Sequence, residues 1–172
     1  MVRFGVVSAY PAKDWHSRRL VGACAALGRA EVLAPSSFGV RVGAGAATVT
    51  VAGRDAREWD VLLLPRALGP AGDPDFQCLA YRGAAELGVP LVNPVAALLA
   101  AEDKVRTSWL LARAGLPTPA VAAVQSVGEA REALAALGTA VVKPPWGSLG
   151  IGIVRLAAGD AGAARVLAAA LA

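Results

Sequence analysis

Apolar positions along the chain alternate between short β-branched runs and stretches spaced as on one face of a helix. Val2–Ala9 is apolar and β-rich, which predicts a buried first strand. Lys13–Leu27 carries apolar residues at helical spacing and meets a natural stop at Gly28. A short strand is expected over Glu31–Ala34. Val40–Val42 and Thr48–Val51 flank a glycine-rich turn, the pattern of a hairpin. Asp60–Leu64 is a strongly apolar strand that ends at Pro65-Arg66, Asp73–Leu87 a helix closed by Gly88, and Val89–Val92 another short strand. Helices set between strands imply a mostly parallel sheet covered on both faces, a doubly wound α/β unit over residues 1–94 that ends near Asn93-Pro94.

A second, α+β unit follows over residues 95–172. Its first helix is expected from Asp103 to Ala114, with Gly115 as the stop. Pro117 and Pro119 then force an extended passage, because the residue before a proline avoids helical angles. Val121–Val124 reads as a strand and Gly128–Leu137 as a helix ended by Gly138. Thr139–Lys143 and Ile151–Leu156 are both β-rich and joined by a short glycine-rich connection. They are therefore predicted to pair antiparallel, since parallel neighbours need a crossover of about a dozen residues or more. Asp160–Leu171 is an alanine-rich helix with Asp160 as its cap and no Gly or Asn closing its far end.

Composition narrows the class. The 172 residues can bury a real core, and a 56% apolar content with mean hydropathy +0.52 is far from a disordered chain. The apolar run over Leu91–Ala101 is broken by Asn93 and Pro94, so it is too short for a membrane span. Met1–Gly5 lacks the charged start and apolar stretch of a secretory signal, and a cytoplasmic location is expected. The net charge of +4 raises nucleic acid as a partner. Yet the arginines are scattered, and no basic patch interleaved with aromatics is visible, so nucleic acid is not expected. Cys24 and Cys78 are too isolated for a zinc site, and His16, the single histidine, has no nucleophile elbow to serve. Between Asp14 and Ser17, His16 reads as a surface residue at a helix start.

One segment carries candidate chemistry: Val141-Val142-Lys143-Pro144-Pro145-Trp146-Gly147-Ser148-Leu149-Gly150-Ile151-Gly152. A lysine ends an apolar strand, a loop of glycines and a serine follows, and β-branched residues come next. Backbone amides in such a loop form an anion nest, and glycine lets them approach a ligand closely. The glycine order is neither that of a Walker loop nor that of a dinucleotide fingerprint, both of which lead into a helix. A flap over phosphates and an ordinary hairpin with a solvated lysine both fit the pattern. Composition adds weight to the flap. The chain has 14 arginines but only three lysines, Lys13, Lys104 and Lys143, and Lys104 stands in Glu102-Asp103-Lys104 at a helix start. A lysine ammonium is a compact, mobile charge suited to a phosphate that must move.

Taken in order, Asn93-Pro94, Glu102-Asp103-Lys104-Val105-Arg106-Thr107, Leu110–Pro119, Val141-Val142-Lys143-Pro144 and the glycine loop resemble the ATP-grasp ligases. The likeness is greatest to the RimK-type α-L-glutamate ligases. Leu64-Pro65-Arg66 and the helix through Phe76-Gln77 resemble the preceding domain of that group, so the similarity runs essentially from Met1 to Ala172. The resemblance implies a pre-ATP-grasp domain followed by the first lobe of an ATP-grasp domain. It implies a ligase that activates a carboxylate with ATP and Mg²⁺ as an acyl phosphate, which an amine then attacks. By this match Lys104 and Lys143 hold ATP phosphates, Gly147, Ser148, Gly150 and Gly152 form the flap, and Arg66 is a candidate for gripping a substrate carboxylate.

The resemblance also implies a second lobe with the adenine strand and the magnesium ligands. After Lys143 this sequence has one carboxylate, Asp160, and two divalent ions need more oxygen ligands than that. The expectation is an N-terminal fragment, inactive alone, that binds nucleotide weakly and without regard to magnesium. Its apolar face, left uncovered, would favour self-association. A non-catalytic nucleotide-binding or partner module, and an unrelated doubly wound domain, are the other readings.

Overall fold

Two units make up the chain, Met1–Leu98 and Leu99–Ala172, in a computed structural model that describes residues 1–145 and 150–171. In the first, β1 (Val2–Ser8) lies between two parallel partners, β2 (Gly28–Leu33) and β6 (Val61–Arg66), and β7 (Leu91–Val92) flanks β6. Gly5 through Ser8 are buried, as a central strand requires. A Cβ at Gly5 would stand 2.6 Å from methyls of both Leu33 and Leu62, so the neighbouring strands fill the space it leaves. β2 begins at Gly28, three residues before the expected Glu31. The cause is close pairing: a Cβ there would lie 2.1 Å from the Val2 carbonyl oxygen. The glycine that stops the helix also opens the strand.

α1 (Trp15–Ala25) connects β1 to β2, and α2 (Pro74–Glu86) connects β6 to β7. The two connections run outward in opposite directions from the β1–β6 pair. Right-handed crossovers then place the helices on opposite faces, which is the doubly wound arrangement. Between β2 and β6 the chain inserts an antiparallel sheet of β3 (Phe38–Gly43), β4 (Ala46–Val51) and β5 (Arg54–Asp55). The β3–β4 turn has positive φ at Ala44 and Gly45, the geometry that suits the twist of a two-residue hairpin. This sheet packs on α2: Phe38 meets the Tyr81 ring edge-on at 4.9 Å, and a Cβ on Gly83 would touch Val49 at 3.0 Å.

In the second unit α4 (Lys104–Arg113) starts at the Asp103 cap and stops before Gly115, whose φ is +69°. α3 (Val95–Glu102), which sequence periodicity did not predict, precedes it. Its residues are almost all Ala, Leu or Val, so no polar face marks a helical period. α5 (Val127–Leu137) opens on a capping box: Ser126 Oγ accepts from the Glu129 amide, and Glu129 accepts from the Gln125 amide. β8 (Thr139–Val142) and β9 (Val154–Ala157) pair antiparallel from Thr139↔Ala157 to Val142↔Val154, as the short connection predicts. Behind them lies a small core of Ala130, Leu134, Leu156, Ala163 and Leu167, the last two from α6 (Ala163–Leu171).

Three expectations need correction here. Val121–Val124 is not a strand: it has no ladder partner, Val121 is exposed, and only Val124 tucks against the small core. β9 starts at Val154 rather than Ile151, because Gly150 and Gly152 take left-handed φ values of +75° and +74° and form a turn. Asp160 does not cap α6 with its side chain. Its carboxylate turns back to accept the Ala157 amide at 2.8 Å, and the helix begins three residues later. Among the described residues no helix is long and apolar enough to cross a membrane.

Candidate functional site

The second unit brings two of the three lysines to one end of the β8–β9 hairpin. Asp103 caps α4 by accepting the Val105 and Arg106 amides at 2.8 and 2.9 Å, which places Lys104 as the first helical residue. The Lys104 amide is left over by the cap and donates to the Pro145 carbonyl at 3.2 Å. Pro145 lies two residues beyond Lys143, where the chain leaves β8, so this bond fastens the α4 start to the strand exit. Further along the turn, Thr107 Oγ1 donates to the Ala100 carbonyl at 2.7 Å and Ser108 Oγ to the Lys104 carbonyl at 3.0 Å. The Lys104 side chain is half-buried and Lys143 is exposed.

The returning segment completes this end. Gly152 packs against Pro144, and a Cβ there would meet the ring at 3.4 Å on a backbone whose φ already disfavours a side chain. The Ile153 amide donates to the Gly150 carbonyl at 3.3 Å, which closes the turn. Lys104, Lys143, Gly150 and Gly152 thus gather at one place. The other two flap candidates, Gly147 and Ser148, lie outside the described residues. Two ammonium groups beside a glycine turn can hold a polyanion by charge-assisted hydrogen bonds. Among the described residues no three His, Cys, Asp or Glu side chains cluster as metal ligands, and none is assigned to Mg²⁺.

Arg66 belongs to the first unit, at the carboxyl end of β6. Its Nε faces Asp14 Oδ1 at 3.5 Å, and the Asp14 side chain is only 4% exposed against 35% for Arg66. Asp14 is fully engaged: it accepts the His16 and Ser17 amides at 3.2 Å each and the Ser17 hydroxyl. Burial alone would push its carboxyl up. The Ser17 and His16 donors and the Arg66 charge outweigh that and hold it below the usual carboxylate value of 3.8. The sequence marks Asp14 and Ser17 only as helix-cap residues. The pairing of Asp14 with Arg66 has no sequence signal, since it arises where β1 and β6 lie side by side. His16 is exposed at the helix start, as expected, with its ring edge-on to Trp15 at 5.1 Å. Cys24 and Cys78 are free, buried thiols that burial pushes up.

The chain is similar to known proteins in sequence and in fold. Over 73 residues, 42% of the chain, it is 45% identical to the tetrahydromethanopterin:α-L-glutamate ligase of Methanosarcina acetivorans, and the match spans 22% of that protein. Over 89 residues, 51% of the chain, it is 44% identical to the D-alanine–D-alanine ligase of Marinobacter nauticus, spanning 27% of it. Among solved structures, a RimK-domain ATP-grasp protein from Sphaerobacter thermophilus aligns over 96% of this chain and 57% of its own, with a TM-score of 0.67 and 19% identity. A D-cycloserine synthetase aligns over 98% of this chain and 55% of its own, with a TM-score of 0.64 and 20% identity. No protein-family model matches the chain.

Proposed function

We propose that this chain, similar in fold and sequence to the N-terminal part of RimK-type ATP-grasp ligases, holds ATP phosphates in its second unit for a ligase that joins a carboxylate to an amine. The observation that carries the reading is the Lys104 amide to Pro145 carbonyl bond, which fixes Lys104 and Lys143 at the same hairpin end. Bound ATP supplies the phosphoryl group that turns the carboxylate into an acyl phosphate. Lys104 and Lys143 bring positive charge to the phosphates, and the Gly150–Gly152 turn lets the flap approach without a Cβ in the way. Gly147 and Ser148 extend the flap in this reading, and Arg66 holds a substrate carboxylate. The Mg²⁺ ligands of the reaction are not assigned to described residues of this chain.

The test is an ATP titration followed by NMR or calorimetry. Charge-assisted contacts worth about 1.5–3 kcal/mol each, offset by ordering of the lysine stems, give affinity near the millimolar range, about −4 kcal/mol. Lys143→Ala should remove most of it while Lys13→Ala, away from the hairpin, changes nothing. Equal binding by Lys143→Ala and the parent chain would sink the reading. The second reading, a non-catalytic nucleotide-binding or partner module, shares this binding site. It is favoured if the protein binds ATP but forms no ADP with any carboxylate and amine pair.

A further inference from the structure

In a doubly wound sheet the ligand crevice lies outside the carboxyl ends of the strands, where the strand order reverses. Here that point is the β1–β6 pair, and the residues at its carboxyl ends are Ser8 and Arg66. The loops at this end of the sheet are held by buried polar groups. Gln77, 1% exposed, donates to the Gly69 and Ala71 carbonyls at 3.1 Å each and accepts the Gly69 amide at 3.0 Å. The Tyr81 hydroxyl donates to the Ala67 carbonyl at 2.6 Å. At the end of β1, Ser8 Oγ, on a fully buried residue, accepts the Tyr10 amide at 3.3 Å. The two loops touch: the Ala9 amide donates to the Arg66 carbonyl at 3.0 Å, and a Cβ on Gly69 would stand 2.4 Å from that of Ala9.

Arg66 is the charged side chain at this point, and only one edge of it is occupied. Its Nε faces Asp14, while its two Nη groups make no hydrogen bond among the described residues. A guanidinium whose Nε side pairs with a carboxylate keeps a planar fork of two further donors, which matches the two oxygens of a carboxylate. The anchor is itself clamped, because Ser17 and the α1 amides take up the remaining acceptor capacity of Asp14. Resting on the reading of Arg66 above, we propose that Asp14, locked by Ser17, is the positioning residue that aims Arg66 and tunes this crevice to a carboxylate over a phosphate. The tuning follows from charge. The buried Asp14 carboxylate beside the guanidinium leaves a near-neutral pair, which tolerates the single charge of one carboxylate group better than the double charge carried on one phosphate dianion.

The experiment follows the Arg66 Nε–H and the Ser8 and Tyr10 amides by NMR in the full chain. Sodium glutarate and inorganic phosphate are added separately at constant ionic strength. Glutarate should give saturating shifts at all three groups, with phosphate at least about tenfold weaker. Arg66→Gln should abolish the response. Arg66→Lys, which keeps the charge but loses the fork, should weaken glutarate by about tenfold. Asp14→Asn should lower the glutarate-to-phosphate affinity ratio by about tenfold, a readout that mere loss of structure does not move in one direction. Ser17→Ala, milder for the fold, should lower the ratio in the same sense. No saturable glutarate shift, or an unchanged ratio in both Asp14→Asn and Ser17→Ala, overturns the proposal. Lys143→Ala should keep the full glutarate response, and failure of the nucleotide reading shows separately, as ATP binding that this variant leaves unchanged.

Discussion

Two amphipathic helices, one in each unit, show how differently the units are built. α2 buries Gln77, Cys78, Ala80, Tyr81 and Ala84, and even its amide side chain is satisfied by loop carbonyls. α4 has no buried residue, and its Trp109, Leu110 and Leu111 are all exposed. Among the described residues the buried polar ones, Ser8, Asp14, Ser17 and Gln77, all belong to the first unit. Each is hydrogen-bonded, as burial of a polar group demands. The first unit is therefore held by a dense core and a polar lattice of its own. The second is held mainly by caps, one hairpin and a five-residue core.

The largest effect that can break this comparison is core truncation. Leu62, fully buried between β1 and its neighbours, should cost about 2–5 kcal/mol as Leu62→Ala. Leu156→Ala should fall at the lower end of that range, because only Leu134 and Leu167 among its buried neighbours are large and the surrounding alanines and partly buried valines leave an edge that can relax. Urea unfolding followed by amide exchange in each unit reads both. Equal losses would show that the second core is as tightly packed as the first.

Next in size is the polar lattice. Asp14→Ala removes a helix cap worth about 1 kcal/mol and charge-assisted bonds worth about 1.5–3 kcal/mol, for a total near 2–4 kcal/mol. The pH dependence has a definite sign. The Asp14 carboxyl is held below 3.8 in the folded chain, so its contribution is complete above that value and is lost as pH falls through the lower folded value. Acid titration of stability should steepen below pH 3.8 in the parent chain and lose that component in Asp14→Asn. An unchanged acid limb in the variant would mean that the Arg66 pair stabilises nothing.

How much of this could be read from the residues follows the same division. In the first unit β1, α1, the β3–β4 hairpin, β6 and α2 all carry strong periodicity and glycine or aspartate punctuation, and each stands within a few residues of its expected place. α3 is not legible in the sequence because a helix made almost wholly of Ala, Leu and Val has no polar face to reveal its period. Val121–Val124 is β-branched at both ends yet forms no strand, because such a run specifies one only where a partner offers a ladder. For the candidate site, the scarcity of lysine pointed to Lys104 and Lys143. The Lys104–Pro145 bond that unites them, and the Asp14–Arg66 pair, are products of topology between distant segments.

The smallest expected effect concerns the outward face of α4. Trp109 is 59% exposed and Leu116, just past the helix, 52% exposed. Replacing side chains that bury so little should leave stability within about 0.5 kcal/mol, so Trp109→Gln with Leu116→Gln should unfold at nearly the same urea concentration as the parent. Association is where the pair should differ. Exposed apolar residues gathered on one helix favour contact with another apolar surface. The parent chain should therefore sediment faster as its concentration rises, and the double variant should stay monomeric over the same range. A clear loss of stability in the double variant would contradict the picture of α4 as an unpartnered helix. Concentration-independent sedimentation of both proteins would show that its apolar face is too dispersed to act as a surface, and the contrast with α2 would then be one of burial alone.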